Sequence, residues 1–151
     1  MNLSETIDGI HAICEGITDE IALMATISCE LYQHIEGFDW VGFYRVTAPD
    51  MLHVGPYQGG HGCLSIPFDK GVCGAAARTR RAQLVPDVHA FPGHIACASS
   101  TQSELVLPVF AADDRLIAVL DIDSDQPDFF TTQHQAQLEA MLQQIFGNIA
   151  V

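Results

Sequence analysis

Two apolar runs, ELVLPVF (residues 104–110) and RLIAVLDID (115–123), are separated only by the polar stretch AADD. Both are short, rich in Leu, Val and Ile, and bounded by turn formers, which is the pattern of strands rather than helices. Four residues cannot carry a parallel crossover, so the two strands are expected to pair as an antiparallel hairpin. Counting outward from a turn centre near residue 112.5 puts Glu104 opposite Asp121. This hairpin commits the chain to an antiparallel sheet, and the other elements must find places around it.

Upstream, WVGFYRV reads as a strand, TAPD as a turn and MLHVGPY as a weaker second strand, giving another hairpin. ITDEIALMATISCELYQHI has Ile17, Ile21, Met24, Leu31 and Ile35 near helical spacing. Thr18 is its expected N-cap and Gly37 its expected stop. GVCGAAARTRR reads as a short helix, and AQLVPDV as a short strand stopped by Pro86. The C-terminal segment places Leu138, Met141, Leu142, Ile145, Phe146 and Ile149 on one helical stripe. Helices at the ends with hairpins between them predict an α+β domain, a central antiparallel sheet with helices over one face. At 151 residues and 48% hydrophobic, the chain is expected to form one domain over residues 1–151.

The net charge of −13 argues against nucleic acid or an anionic membrane surface as a partner. It remains compatible with a cationic or zwitterionic small ligand. No apolar run approaches the roughly 20 residues of a membrane span, and MNLSETIDGIHAICEGITDE lacks the pattern of a secretory signal. The cytoplasm is the expected compartment. Five cysteines without a signal argue against a secreted disulfide framework and make any disulfide a transient, catalytic one.

Two long loops depart from the short connections of a compact domain, and such loops are often functional. One is PGHIACASSTQS, which places Cys97 among Gly, Pro and small polar residues although cysteine prefers burial. The other, GGHGCLSIP, places Cys63 in a glycine-rich stretch free to move toward another thiol. Asp121 and Asp123 lie two apart in a strand and share a face, and Glu104 opens the strand beside the Cys97 loop. Acids at a strand end are often merely solvated, but these follow a strongly apolar run. Clustered, they would raise one another's pKa, keeping one group protonated as a general acid while the others hold an ammonium. They would also raise a nearby thiol's pKa, so the cysteine should attack best once a cationic ligand has entered, or if a loop amide stabilises the thiolate. Cys14 and Cys29 lie in helical or apolar patterns and are expected to be inert. Cys73 fits equally a buried helix residue and a reactive thiol near a helix N-terminus. The spacing of Cys63, Cys73, Cys97, His61, His89 and His94 is not that of a zinc site, and neither a metal nor another cofactor is expected. No nucleophile-elbow pattern suggests a serine hydrolase.

Taken in order, DWVGFYRV, GPYQG, IPFDKGVCGAAA, PDVHAFPGHIAC, SELVLPV and VLDIDS resemble the free methionine-(R)-sulfoxide reductases, small enzymes of the GAF fold. The likeness runs from about Asp39 to Phe130. It implies that Cys97 is the catalytic cysteine, Cys63 the resolving cysteine and Cys73 a third, assisting one. It implies that Glu104, Asp121 and Asp123 grip the substrate and donate a proton, and that Trp40 and Tyr44 wall its methyl group. The implied reaction forms a sulfenic acid on Cys97, then a Cys63–Cys97 disulfide recycled by a thioredoxin-type reductant, in a protein compatible with a homodimer. The family usually has an acid directly after the catalytic cysteine, where this chain has Ala98. The competing expectation is a non-catalytic GAF domain that senses a small molecule or redox state. Such sensors usually accompany an output domain, for which 151 residues leave no room, and they have no need of two thiols beside three acids.

Overall fold

The computed structural model describes residues 1–150. Helices α1 (Leu3–Cys14) and α2 (Glu20–His34) precede strands β1 (Trp40–Ala48), β2 (Met51–Gln58) and β3 (Ser65–Pro67). Helix α3 (Gly71–Thr79), strand β4 (Gln83–Val85) and a single 3-10 turn (Val88–Ala90) follow. Strands β5 (Ser103–Phe110) and β6 (Leu116–Ser124) then lead to α4 (Thr132–Phe146). One six-stranded sheet runs in the order β3-β2-β1-β6-β5-β4, with every pairing antiparallel. Both expected hairpins are present, and the architecture is α+β.

Strand periodicity sorts side chains onto two faces. Val41 and Phe43 of β1, Leu105 and Leu107 of β5, and Leu120 and Ile122 of β6 point to one face, against Ile10, Leu23, Ile27, Leu31, Leu138, Met141 and Phe146 of α1, α2 and α4. Phe43 and Phe146 are fully buried and their rings lie 5.9 Å apart. The other face carries Trp40, Tyr44, Val106 and Val119 under Val72, Cys73 and Ala76 of α3. Helices therefore flank the sheet on both sides, not on one. The helix α3 is short and rich in Gly and Ala, so it can lie close to neighbouring backbone. A Cβ on Gly74 would stand 2.8 Å from the carbonyl oxygens of both Pro67 and Phe68.

Capping sets the helix boundaries. Asp19, not Thr18, caps α2 by accepting from the Ala22 N–H at 2.9 Å. The helix then starts one residue later than expected, and Ile17 and Ile21 are exposed rather than core. Its buried side is Leu23, Met24, Ile27, Ser28 and Leu31. The helix ends at His34 with Ile35 as its C-cap, and Gly37 follows in the left-handed region at φ 96°. Thr131 and His134 form a reciprocal capping box at the start of α4. That helix ends at Phe146, so Ile149 packs on the core from beyond it.

The β5–β6 register differs from the count. Glu104 pairs with Asp123, and Val106 with Asp121. An irregularity between Val109 and Phe110 and a longer turn, with Asp114 at φ 66°, move the hairpin centre toward the C-terminus. The shift is an even number of residues, so all three acids stay on one face.

Candidate active site

The α3 face of the sheet presents three rows of paired residues. Trp40, Asp123, Glu104 and Val85 form the first, across β1, β6, β5 and β4. Gly42, Asp121 and Val106 form the second; Tyr44, Val119 and Pro108 form the third. The acids thus sit on the inner strands β5 and β6, in the first two of these rows, between aromatic side chains from β1 and small aliphatic ones. Glu104 is 6% and Asp121 5% exposed. Burial raises all three carboxyl pKa values. Glu104 and Asp123 are pushed well up, because the Asp121 charge adds to the cost of burial. Asp121 rises less, since hydrogen bonds from Glu104, Asp123 and Cys73 offset its burial. Carboxyls this close titrate as a unit, and burial together with their mutual repulsion makes the cluster hold its protons more tightly than ordinary carboxyls do. The Oδ1 atoms of Asp121 and Asp123 are buried without a hydrogen-bond partner. Unpaired buried carboxylate oxygens cost free energy until a donor reaches them.

Cys73, the third residue of α3, is buried against Asp121. Burial, and then the charges of Asp121, Glu104 and Asp123, push its thiol pKa well above the usual value. Cys73 is thus a buried helix residue that also lies in the first turn of α3, with a thiol that holds its proton more tightly than an ordinary cysteine. Its Sγ and carboxylate oxygens of Glu104 and Asp121 all lie within 4.8 Å of one another, close enough to share one metal ion. Cys14 is buried with a raised pKa, and Cys29 is half-buried beside Gln33.

Cys63 lies between β2 and β3, and Cys97 in the segment between the 3-10 turn and β5. The two are joined by a disulfide across 34 residues of sequence, with Cα atoms 5.2 Å apart. The Cys97 segment is anchored at both ends. Gly71 N–H donates to the Gly93 carbonyl at 3.1 Å, tying the segment to the start of α3. Val88 N–H donates to the Gln102 carbonyl at 2.9 Å, and Gln102 N–H to the Ser124 carbonyl at 2.8 Å. Between these anchors the segment roofs a cavity of about 30 Å³ lined by Cys73, His94, Cys97, Ala98, Glu104, Asp121 and Asp123, among others. In this disulfide-bonded form that volume suits a water or two and no amino acid.

Trp40 and Tyr44 stand on the same sheet face and stack with centroids 5.9 Å apart, but neither lines this cavity. Trp40 also stacks on Tyr57 at 5.2 Å and donates its indole N–H to the Gly60 carbonyl. Gly42 makes room for this pile, because a Cβ there would meet Tyr57 Cβ at 2.4 Å. The Tyr44 phenol is raised by burial and then by Asp121, which places it in the field of the acids. His94 lines the cavity with an unpartnered, buried Nδ1, and burial lowers its pKa. Only its position three residues before Cys97 marks it in the sequence.

The GAF domain family matches residues 18–149. The free methionine-R-sulfoxide reductase of Escherichia coli (strain K12) is 38% identical over 135 residues, covering 89% of this chain and 81% of that protein. The X-ray structure of the Neisseria meningitidis free methionine-R-sulfoxide reductase in complex with its substrate superposes with a TM-score of 0.89 at 37% identity, covering 95% of this chain and 85% of that one. The reduced form of the Staphylococcus aureus fRMsr superposes with a TM-score of 0.92 at 39% identity, covering 99% and 96% of the two chains. The buried carboxyl cluster under a bridged cysteine pair thus sits in a fold and a sequence shared with these enzymes, and the chain belongs to the free methionine-R-sulfoxide reductase family of GAF-domain proteins.

Proposed function

We propose that the protein reduces free methionine-(R)-sulfoxide to methionine, with Cys97 as nucleophile and Cys63 as the resolving thiol. The observation that carries this reading is the Cys63–Cys97 bridge on the roof of a cavity floored by Glu104, Asp121 and Asp123. In the reduced protein the Cys97 sulfur attacks the sulfoxide sulfur. A protonated carboxyl, Glu104 or Asp123, donates to the departing oxygen. The protonated oxygen moves to the Cys97 sulfur as the bond between the two sulfurs breaks, so methionine leaves reduced and Cys97 is oxidised to a sulfenic acid. The Cys63 thiol then displaces it as water, forming the disulfide. A thioredoxin-type dithiol restores both thiols by exchange and becomes oxidised itself.

Selectivity for the free amino acid follows from charge. A free α-ammonium supplies donors for the unpartnered Asp121 and Asp123 oxygens, whereas a peptide nitrogen carries no charge. Trp40 and Tyr44 supply an apolar wall for the S-methyl group once the cavity opens. Cys73, buried on the sheet-facing side of α3, keeps its proton and acts by packing and hydrogen bonding to Asp121. No helix among the described residues is long and apolar enough to cross a membrane. A single GAF domain working in the cytoplasm fits the need for a reductant, and a homodimer would cover the exposed Ile13, Ile17 and Ile21. Incubation with dithiothreitol and free methionine-(R)-sulfoxide should yield methionine, and Cys97→Ser should yield none. Undiminished turnover by Cys97→Ser would move the nucleophile elsewhere.

A further inference from the structure

We propose that Cys73, Glu104 and Asp121 form a zinc site in the reduced protein, and that zinc and the substrate exclude each other there. The three ligand atoms lie within 4.8 Å of one another, and all three residues are buried. One oxygen of Asp121, Oδ1, has no hydrogen-bond partner although the residue is 5% exposed. The group is therefore already gathered and partly unsatisfied, and a divalent cation would satisfy it. One thiolate and two carboxylates suit zinc, which takes sulfur and oxygen ligands in a tetrahedron. Magnesium and calcium prefer oxygen alone, and a thiolate ligand selects against them. Three protein ligands leave a fourth position open toward the cavity that His94 also lines.

No redox change accompanies binding. The Cys73 thiol loses its proton to solvent, as does any proton shared by the two carboxyls, and three negative ligands surround the dication. Metal affinity should therefore increase with pH as those protons become easier to remove. The exclusion follows from a shared residue, because Asp121 is also assigned to the substrate ammonium. This half of the inference rests on the proposed function; the binding half does not.

Cobalt(II) is the spectroscopic stand-in for zinc. Anaerobic addition of Co²⁺ to the reduced, chelator-treated protein should give a thiolate-to-cobalt charge-transfer band. The band should persist in Cys97→Ser and vanish in Cys73→Ser, and Asp121→Asn should weaken Co²⁺ binding by more than about tenfold, the loss that even an outer-shell change can cause. Zinc should bleach the band by displacement. Persistence of the band in Cys73→Ser, or its loss in Cys97→Ser, overturns the assignment. Should Cys73→Ser fail to fold, as judged by circular dichroism, Cys73→Ala and the undamaged Cys97→Ser protein carry the same comparison. Free methionine should release cobalt from the wild type, and retention of the band at saturating methionine overturns the exclusion. Calorimetry on the metal-free protein separates the two readings. Absence of methionine binding there counts against the proposed substrate, while the cobalt band still decides the metal site.

Discussion

Glu104 and Asp123 are directly paired across β5 and β6, two acids side by side on the buried face of a sheet, with Asp121 on the same face one row away. A fold gains nothing from such an arrangement. Each of the three carboxyls has its pKa raised by burial, so each costs stability when it ionises. Groups whose folded pKa exceeds the unfolded value contribute stability that is fully present below the unfolded pKa and lost as pH rises through the folded pKa. The wild-type protein should therefore lose stability progressively as pH rises from the ordinary carboxylate range upward. Glu104→Gln should flatten that dependence and be more stable than wild type at alkaline pH, by about 1–3 kcal/mol, the usual cost of an unsatisfied buried polar group. Chemical denaturation at several pH values checks the slope. A wild-type stability that rises over the same window would mean that the acids are ionised and satisfied in the fold.

The same pair bears on the chemistry. Asp123→Asn should lower kcat by about 10²–10⁴, the range for loss of a general acid. It should also remove the alkaline decline of the pH–rate profile, where the proton donor is exhausted. If Glu104→Gln shows this behaviour and Asp123→Asn does not, Glu104 is the donor.

Much of this site was legible in the sequence, for physical reasons that differ from residue to residue. The two-residue spacing of Asp121 and Asp123 fixed a shared face because strand periodicity is rigid. The Glu104 partner was misplaced by two residues because the turn and the irregularity at Val109/Phe110 leave no compositional mark. Face survived where register did not, since an even shift preserves it. Thr18 and Asp19 are both good N-caps in isolation, and only the packing of Leu23, Met24 and Ile27 selects between them. That α3 covers the acid face, and so buries Cys73, is a long-range outcome that a local pattern does not carry. The three-residue strand β3 and the 3-10 turn at Val88–Ala90 are too short to show periodicity. The pairing of Cys63 with Cys97 came from family resemblance and not from spacing.

Resolution through Cys63 predicts a split between reductants. Cys63→Ser should lose most thioredoxin-supported turnover yet keep activity with dithiothreitol, because a small thiol can reach a Cys97 sulfenic acid directly. Mass spectrometry after one turnover without reductant should find the Cys63–Cys97 disulfide in the wild type. Equal thioredoxin-supported rates for mutant and wild type would remove Cys63 from the cycle. Cys73→Ser should not alter this pattern, since Cys73 is buried between α3 and the sheet.

Asp121 is assigned to the ammonium. Asp121→Asn keeps the shape and removes the charge. A charge-assisted hydrogen bond contributes about 1.5–3 kcal/mol, so KM should rise roughly 10- to 100-fold at about 1.4 kcal/mol per decade. N-acetylmethionine sulfoxide has no ammonium and should be a poor substrate for the wild type, yet no worse for Asp121→Asn. Equal wild-type rates with the acetylated and free compounds would leave selectivity to pocket closure alone.

Leu64 follows Cys63 directly and is 74% exposed, the most exposed of the large apolar side chains. If a thioredoxin-type protein reduces the disulfide, as proposed, an apolar side chain beside it gives that protein something to bury. Full burial of a leucine contributes about 1.5–3 kcal/mol, and a partly covered one about half of that. Leu64→Ser should therefore raise the KM for a thioredoxin-type reductant by roughly three- to tenfold at about 1.4 kcal/mol per decade. Turnover with dithiothreitol should be unchanged, because Leu64 does not line the acid cavity and a small thiol needs no docking surface. Steady-state kinetics at varied reductant concentration separate the two. A Leu64→Ser protein slowed equally with both reductants would point to a disturbed Cys63 segment, and one slowed with neither would place reductant docking on another surface.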